Sequence, residues 1–466
     1  MSPETALDSS FRDPSGFIFE QDGELLRQVN RCYQEDLSLL SGSGLLTELQ
    51  KAGLLIEHED LGPDRKQTPD CLTVLRPERL PFISYPYEWC FSQLRDAALA
   101  TLEIQNRALA RGLCLKDASA YNIQYRHHQP VLIDTLSFEA YREGEPWVAY
   151  RQFCQHFLAP LALMAYKDQR LSQLLTTSID GIPLDLASSL LPWRSSLNPY
   201  LNIHIHMHAR SQARYSDAGT DKIKQDLEQK RNTLDRRGLS GILESLESLV
   251  EGLKPKDTVT QWQNYYQEHN YSDSSFKAKE ALVRAHLERV GPGLVLDLGA
   301  NVGHFSRLAS SRGAFTASLD LDYQAVEINY QKVRAEKETN LLPLLVNLTA
   351  PSPAIGWANR ERPAIFQRRP GDLIMALALV HHLAISNNVP LARIAAFFAE
   401  LARWAIVEFV PRGDSQVDRL LTTRRDIFAD YHRDGFEAAF KQCFEIEAVD
   451  DIEGSLRTLY LLKRRA

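Results

Sequence analysis

Residues 293–313 read GLVLDLGANVGHFSRLASSRG: an apolar run, a short turn carrying Asp297, Gly299, Asn301 and Gly303, then an amphipathic helical pattern. A strand feeding a helix through a glycine turn belongs to a parallel α/β sheet, because the helix carries the chain back across the sheet face. Gly299 and Gly303 remove side chains where the backbone turns and approaches a ligand, while the helix behind them presents free N–H groups. Four more apolar runs follow, at 315–322, 341–348, 372–380 and 404–410, with helical patterns between them. Five such runs predict a doubly wound Rossmann-like α/β domain over residues 257–466.

Polar residues fall where the runs end. Asp320 closes the second, Asn347 the third, His381 and His382 follow the fourth, and Glu408 lies in the fifth. Open α/β sheets bind ligands at that carboxyl edge, and an acid at the second tip suits a pair of ribose hydroxyls. A dinucleotide fingerprint would place glycine where Asn301 stands, and a pyrophosphate would not favour Asp297. S-adenosylmethionine carries a sulfonium and an ammonium in place of phosphates, so the charge pattern favours it. Read singly, the glycines are turn residues and Asp320 a helix cap; the constellation points to a ligand.

On these residues, 257–466 resembles a class I S-adenosylmethionine-dependent methyltransferase. The resemblance implies cofactor binding by Asp297, Gly299, Asn301, Gly303, Asp320 and Asn347. The family often has Asp at the last position; Asn keeps an acceptor for the adenine amino group and loses the charge. Through PSPAIGWANRERP and ALALVHHLAISNNVP, the whole chain also resembles a family named after a rhizobial host-specific nodulation protein, a likeness that names no substrate.

Methyl transfer needs an aligned nucleophile and, where required, removal of its proton. His381, His382 and Glu408 are the base candidates, since a histidine titrating near ~6.5 suits a hydroxyl or an amine. No DPPY or NPPY loop for base amines follows the fourth run, and no Pro-Cys nucleophile stands there. With a net charge of -7, this tilts the acceptor away from nucleic acid bases and toward a small molecule, glycan or protein. Just before the first run, Trp262, Tyr265, Tyr266 and Tyr271 crowd beside Lys277 and Lys279, a segment able to form an aromatic lid over the cofactor or an edge helix.

The chain's 466 residues leave room for a second domain. Residues 1–208 mix helical and strand-like patterns and predict an α+β unit, while 209–256, dense in mixed charge, predict a helical linker. Asp117, Asn122 and Asp134 stand at intervals of 5 and 12. That spacing resembles the catalytic loop and magnesium-binding acid of protein kinases and aminoglycoside phosphotransferases, which implies a kinase-like domain. DTL replaces DFG, and no clear glycine-rich phosphate loop precedes it. A bifunctional enzyme or an ATP-dependent phosphotransferase using Asp117, Asn122 and Asp134 is the alternative function, and a non-catalytic cofactor-binding protein a third.

NIHIHMHAR (202–210) would set His204, His206 and His208 on one face of a strand. Alternate strand residues lie ~7 Å apart, too far to converge on one ion, so no metal site is expected. Six scattered cysteines read as buried free thiols. The longest apolar stretches, 157–166 and 373–380, fall short of a membrane span, and MSPETALDSSFRD lacks a secretory pattern. The cytoplasm is the expected location.

Overall fold

A computed structural model describes residues 6–210, 235–256, 273–422 and 425–465. The chain forms two compact units, 1–257 with 354–363, and 258–353 with 364–466.

The first unit is α+β. Strands β1 (Gly16–Gln21), β2 (Glu24–Asn30), β3 (His58–Asp60) and β4 (Cys71–Pro77) form an antiparallel sheet in the order β1-β2-β4-β3. Asp22 and Gly23, both at positive φ, turn β1 into β2. The helix Phe91–Ala110 then leads to β5 (Leu113–Leu115), β6 (Ile123–Arg126), β7 (Gln129–Leu132) and β8 (Phe138–Ala140), paired as β5-β8 and β6-β7. Segment 354–363 belongs to this unit, tied in by the Arg12–Glu361 ion pair at 2.6 Å.

Two expectations change here. The helix Arg236–Gly252, anticipated as part of a linker, buries Leu239, Leu243, Leu246 and Val250 on one stripe and packs on Phe91–Ala110. The rest of the anticipated linker, 211–234, lies outside the described residues. Residues Asn202–Met207 form a π-helical turn rather than a strand. His204 bonds Tyr150 Oη (2.7 Å) and Ser245 Oγ (2.9 Å), and His206 bonds Ser188 and Ser195, so these rings tie helices together. Among the described residues no group of three or more His, Cys, Asp or Glu could hold a metal, and no helix is long and apolar enough to cross a membrane.

The second unit is the doubly wound sheet. Strands β9 (Leu294–Leu298), β10 (Phe315–Asp320), β11 (Leu341–Leu345), β12 (Gly371–Ala376) and β13 (Ala402–Phe409) are the five anticipated parallel strands. β14 (Phe444–Asp451) and β15 (Thr458–Arg464) add an antiparallel pair that patterning did not reveal. The sheet order is β11-β10-β9-β12-β13-β15-β14. The chain runs outward from β9 to β11 and returns to β12 beside β9, so the direction of winding reverses between β9 and β12. A crevice opens above that reversal. Val295, Leu373, Met375, Ile406, Leu459 and Leu461 pack against Val283, Leu287, Phe305 and Leu308 of the flanking helices. This core fixes the strand tips on which the site is built.

Candidate active site

The turn after β9 is shaped by left-handed backbone. Gly299 has φ +73°, Asn301 φ +51° and Gly303 φ +75°. Asparagine tolerates this region better than most residues because its short side chain bonds locally, and Asn301 Oδ1 accepts the Val302 N–H at 2.7 Å. The two glycines do different work. Gly299 lines a cavity, and a Cβ there would come within 3.2 Å of Leu379. Gly303 is not among the lining residues; a Cβ there would strike Asn329 at 2.5 Å and Arg307 at 2.8 Å, so it lets the helix His304–Ser310 close onto its neighbour.

The cavity, about 670 Å³, sits over the reversal point and gathers Asp297, Gly299, Asn301, Asp320, Asn347 and His382 on one surface. Asp297 is 2% exposed, in register between Ser318 of β10 and Met375 of β12. Ser306 Oγ donates to it at 2.6 Å, yet burial, with the Asp320 charge adding, pushes its carboxyl up to about 7. Asp320 takes N–H bonds from Asn301 (2.7 Å) and Asp322 (2.8 Å), one on each oxygen. Burial still outweighs these bonds and pushes it up to about 6. With the Leu321 N–H as a third donor, one of the carboxylate's four lone pairs is left for a ribose-type hydroxyl. Asn347 Oδ1 accepts from the Thr349 N–H (3.0 Å) and Oγ1 (2.8 Å). Its acceptor is thereby taken, and the amide Nδ2 is the group it offers, in contrast to the acceptor expected from the sequence.

The base candidates separate. His382 lines the cavity, and burial followed by the positive charge of Arg457 brings its imidazole down to about 4. It is neutral at pH 7 and can accept a proton, as a weaker base than the free imidazole expected from the sequence. His381, 1% exposed, lies 4.1 Å from the His382 ring, tilted against it, and does not line the cavity. Glu408, fully buried and also not among them, accepts from Lys279 Nζ (2.6 Å) and Arg457 Nη1 (3.3 Å), while Arg457 Nε also donates to Asp414 (2.7 Å). A carboxylate flanked by two cations is held ionised as a structural anion and is a poor proton acceptor.

Residues the sequence did not single out complete the wall: Phe276, Phe305, Ser386, Asn387, Gln416 and Arg419 among them, with Lys279 seated 4.6 Å over the Phe305 ring. The helix Ser415–Thr422 follows the β13 tip, so the carboxyl-edge rule that found Asp320 would also have found Arg419. Ala378, at φ +51° just past β12, is a further mark of a shaped edge. Trp262, Tyr265, Tyr266 and Tyr271, the aromatic lid anticipated from the sequence, lie outside the described residues.

The site suits a cationic nucleoside and disfavours a dinucleotide. A pyrophosphate on the glycine turn would face Asp297 and Asp320, whereas a ligand with a sulfonium and an ammonium meets them favourably. The volume lies inside the usual range for small-molecule sites. Reversal point, glycine turn and paired acids define a class I S-adenosylmethionine-dependent methyltransferase domain. No protein-family model matches the chain. Over 462 residues, 98% of this chain and 95% of the relative, it is 35% identical to nodulation protein NoeA of Rhizobium meliloti (strain 1021). The chain belongs to the NoeA family.

Among solved structures it is similar to magnesium protoporphyrin IX methyltransferase (ChlM) from Synechocystis PCC 6803 with bound SAH: 18% identical, covering 44% of this chain and 92% of that one, TM-score 0.33. It is also similar to WbdD, 16% identical over 44% of this chain, TM-score 0.31; the match spans 43% of WbdD's own length. At TM-scores this low, neither structure bears on what the chain does.

Proposed function

We propose that the second unit methylates a hydroxyl or amine of a small molecule, glycan or protein side chain, with His382 as the proton acceptor. The observation that carries this is the shared cavity, where the acids and glycine turn of a cofactor site face the same space as a neutral imidazole. Asp320 would hold the ribose, Asn347 Nδ2 the adenine edge and Asp297 the positively charged end. When bound, S-adenosylmethionine supplies a methyl on a sulfonium: as the acceptor–carbon bond forms, the carbon–sulfur bond breaks and its electron pair stays on sulfur. His382 accepts the acceptor's proton, and the apolar wall of Phe276, Phe305 and Leu383 excludes water. Six free cysteines suit a reducing compartment, and we place the reaction in the cytoplasm.

Calorimetric titration of S-adenosylmethionine and S-adenosylhomocysteine tests the site. Micromolar binding to the wild type, lost in Gly299→Arg, is the expected result. No binding to the wild type removes the proposal.

A second reading, ATP-dependent phosphotransfer, is favoured by one observation in the first unit. Asp117 and Asn122 are hydrogen-bonded, and Asn122 reaches Ser137 (3.4 Å), which in turn donates to Asp134 (2.7 Å). Against it, Asp134 is already occupied. Burial would raise its carboxyl, but the charge of Arg27, with bonds from Ser137, Arg27 and the Leu136 N–H, holds it below the ordinary range. The Asp22–Gly23 turn is also too short to fold over phosphates. Phosphotransfer requires magnesium-dependent ATP binding that Asp134→Ala abolishes; a wild type that binds no ATP removes this reading.

A further inference from the structure

The reversal of winding divides the cavity. Asp320 and Asn347 stand at the tips of β10 and β11, on one side of β9, and a nucleoside held by them occupies that half. The opposite half lies over β12 and β13. It is walled by the π-helical turn His382–Ser386 with Asn387, and by the helix Ser415–Thr422, which presents Gln416, Arg419 and Leu420. This half also holds the neutral imidazole of His382, so it is where the methyl acceptor lies.

Charge is unevenly placed on that half. Ser386, Asn387 and Gln416 are neutral, and His382 is neutral at pH 7. Lys279, the other basic lining residue, is compensated by Glu408 at 2.6 Å. Arg419 forms no ion pair among the described residues. Its guanidinium is partly solvent-exposed at the cavity wall, where an incoming carboxylate needs little reorganisation of the protein.

Resting on the methyl-donor assignment above, we propose that Arg419 selects acceptors carrying a carboxylate, so that the substrate class is a soluble hydroxy acid, such as a uronic acid or a hydroxylated aromatic acid. A guanidinium binds a carboxylate through two parallel hydrogen bonds, with Gln416 beside it as a neutral donor and Asn387 Nδ2 already donating to the His382 carbonyl at 3.0 Å. Among the described residues, one uncompensated positive charge matches a monoanion, and a phosphate dianion would bring a second charge with no partner among them. The acceptor hydroxyl then faces His382, which takes its proton as the new oxygen–carbon bond forms.

The test is calorimetric titration into the S-adenosylhomocysteine complex of wild type, Arg419→Gln and Arg419→Glu. The probes are glucuronate, galacturonate and 4-hydroxybenzoate, each against its neutral partner (glucose, galactose, 4-hydroxybenzamide), with glucose 6-phosphate as a dianionic arm. At least one acid is expected to bind the wild type below millimolar concentration and at least tenfold tighter than its neutral partner. Arg419→Gln should weaken that acid tenfold or more and Arg419→Glu abolish it, with S-adenosylhomocysteine affinity unchanged within twofold. Turnover of the bound acid, read as S-adenosylhomocysteine release, should follow the same order.

Equal binding of a neutral partner, preference for the sugar phosphate, no effect of Arg419→Gln, or no acid bound while S-adenosylhomocysteine binds, each overturns the proposal. Loss of S-adenosylhomocysteine affinity in Arg419→Gln overturns it differently, by giving Arg419 to the cofactor. A wild type that binds no S-adenosylhomocysteine removes the donor assignment itself and this inference with it. Because Arg419 is exposed, both variants should retain the wild-type melting temperature, which separates recognition from folding.

Discussion

Each unit of this protein brings two aspartates together, and the two pairs are settled in opposite ways. In the second unit, Asp297 and Asp320 lie on a cavity wall with hydroxyl and N–H donors but, among the described residues, no ion pair, and burial raises both carboxyls. In the first, Asp134 has Arg27 against it and is held low, while only Asp117, buried and beside the Asp134 charge, is raised. A carboxylate left without a cation in a buried site is a cost that a cationic ligand relieves. One already matched by an arginine gains little from a ligand. The contrast distinguishes the two clusters: the acids of the second unit are left open to a cation, and Asp134 of the first is already matched by one.

Substitutions in the two pairs should therefore break different properties. Asp320→Ala removes the hydroxyl acceptor at the β10 tip. At about 2–3 kcal/mol for charge-assisted hydrogen bonds, S-adenosylmethionine affinity should fall roughly 30- to 150-fold, with a small change in melting temperature. Asp134→Ala should do the reverse. It strands Arg27, whose side chain is 13% exposed, and unfolding free energy should drop by about 2–3 kcal/mol while cofactor affinity stays at the wild-type value. Paired calorimetry and denaturant melts check both. Loss of cofactor affinity in Asp134→Ala would end the comparison.

That division was only partly legible in the sequence. The β9 turn and Asp320 could be placed because strand tips and glycine turns leave local signatures. What a tip residue faces is set by partners far along the chain. Glu408 reads as a candidate base until Lys279, 129 residues earlier, and Arg457, 49 later, close on it. Asn347 keeps its acceptor on paper and gives it to Thr349 in the fold. β14 was missed because FEIEAVDD is only partly buried along its length and reads as a solvated stretch. The leucine spacing of Arg236–Gly252 predicts a helix, but its docking on Phe91–Ala110 depends on a partner far earlier in the chain, which local pattern does not show. At Asn202–Met207 an apolar–polar alternation imitated a strand, while the Asn198 side chain capped the Tyr200 and Leu201 N–H groups and began a helix.

The raised acids also predict how cofactor affinity depends on pH. Asp320 titrates at about 6 and Asp297 at about 7, and a ligand with a sulfonium and an ammonium prefers both ionised. Binding therefore releases protons below pH 7, and affinity should rise between pH 5 and pH 8, most steeply between 6 and 7, by about tenfold in all. S-adenosylhomocysteine lacks the sulfonium and should show a shallower rise. Equal slopes for the two ligands would mean that the acids respond to the ammonium or ribose alone, and Asp297 would lose its assigned place at the charged end.

The smallest effect should appear in the protein without ligand. In the unfolded chain Asp297 ionises near ~4, and in the folded one near about 7. For an acid raised by folding, this term is absent below pH 4, where both states are protonated. It grows as a destabilisation from pH 4 to 7 and stays at its full size above that. Asp297→Asn removes it, and the Ser306 hydroxyl can still donate to the amide oxygen. The amide NH₂ then needs a partner of its own, which reduces the gain. The variant should be about 1–2 kcal/mol more stable than wild type at pH 8, a rise of several degrees in melting temperature, and less stable than it at pH 4, where the carboxyl term is gone and the cost of the amide NH₂ remains. It should also bind S-adenosylmethionine more weakly. Both changes in one variant would mark Asp297 as a residue kept at the expense of stability for the sake of its ligand. Greater stability with affinity intact would show that the buried charge serves neither.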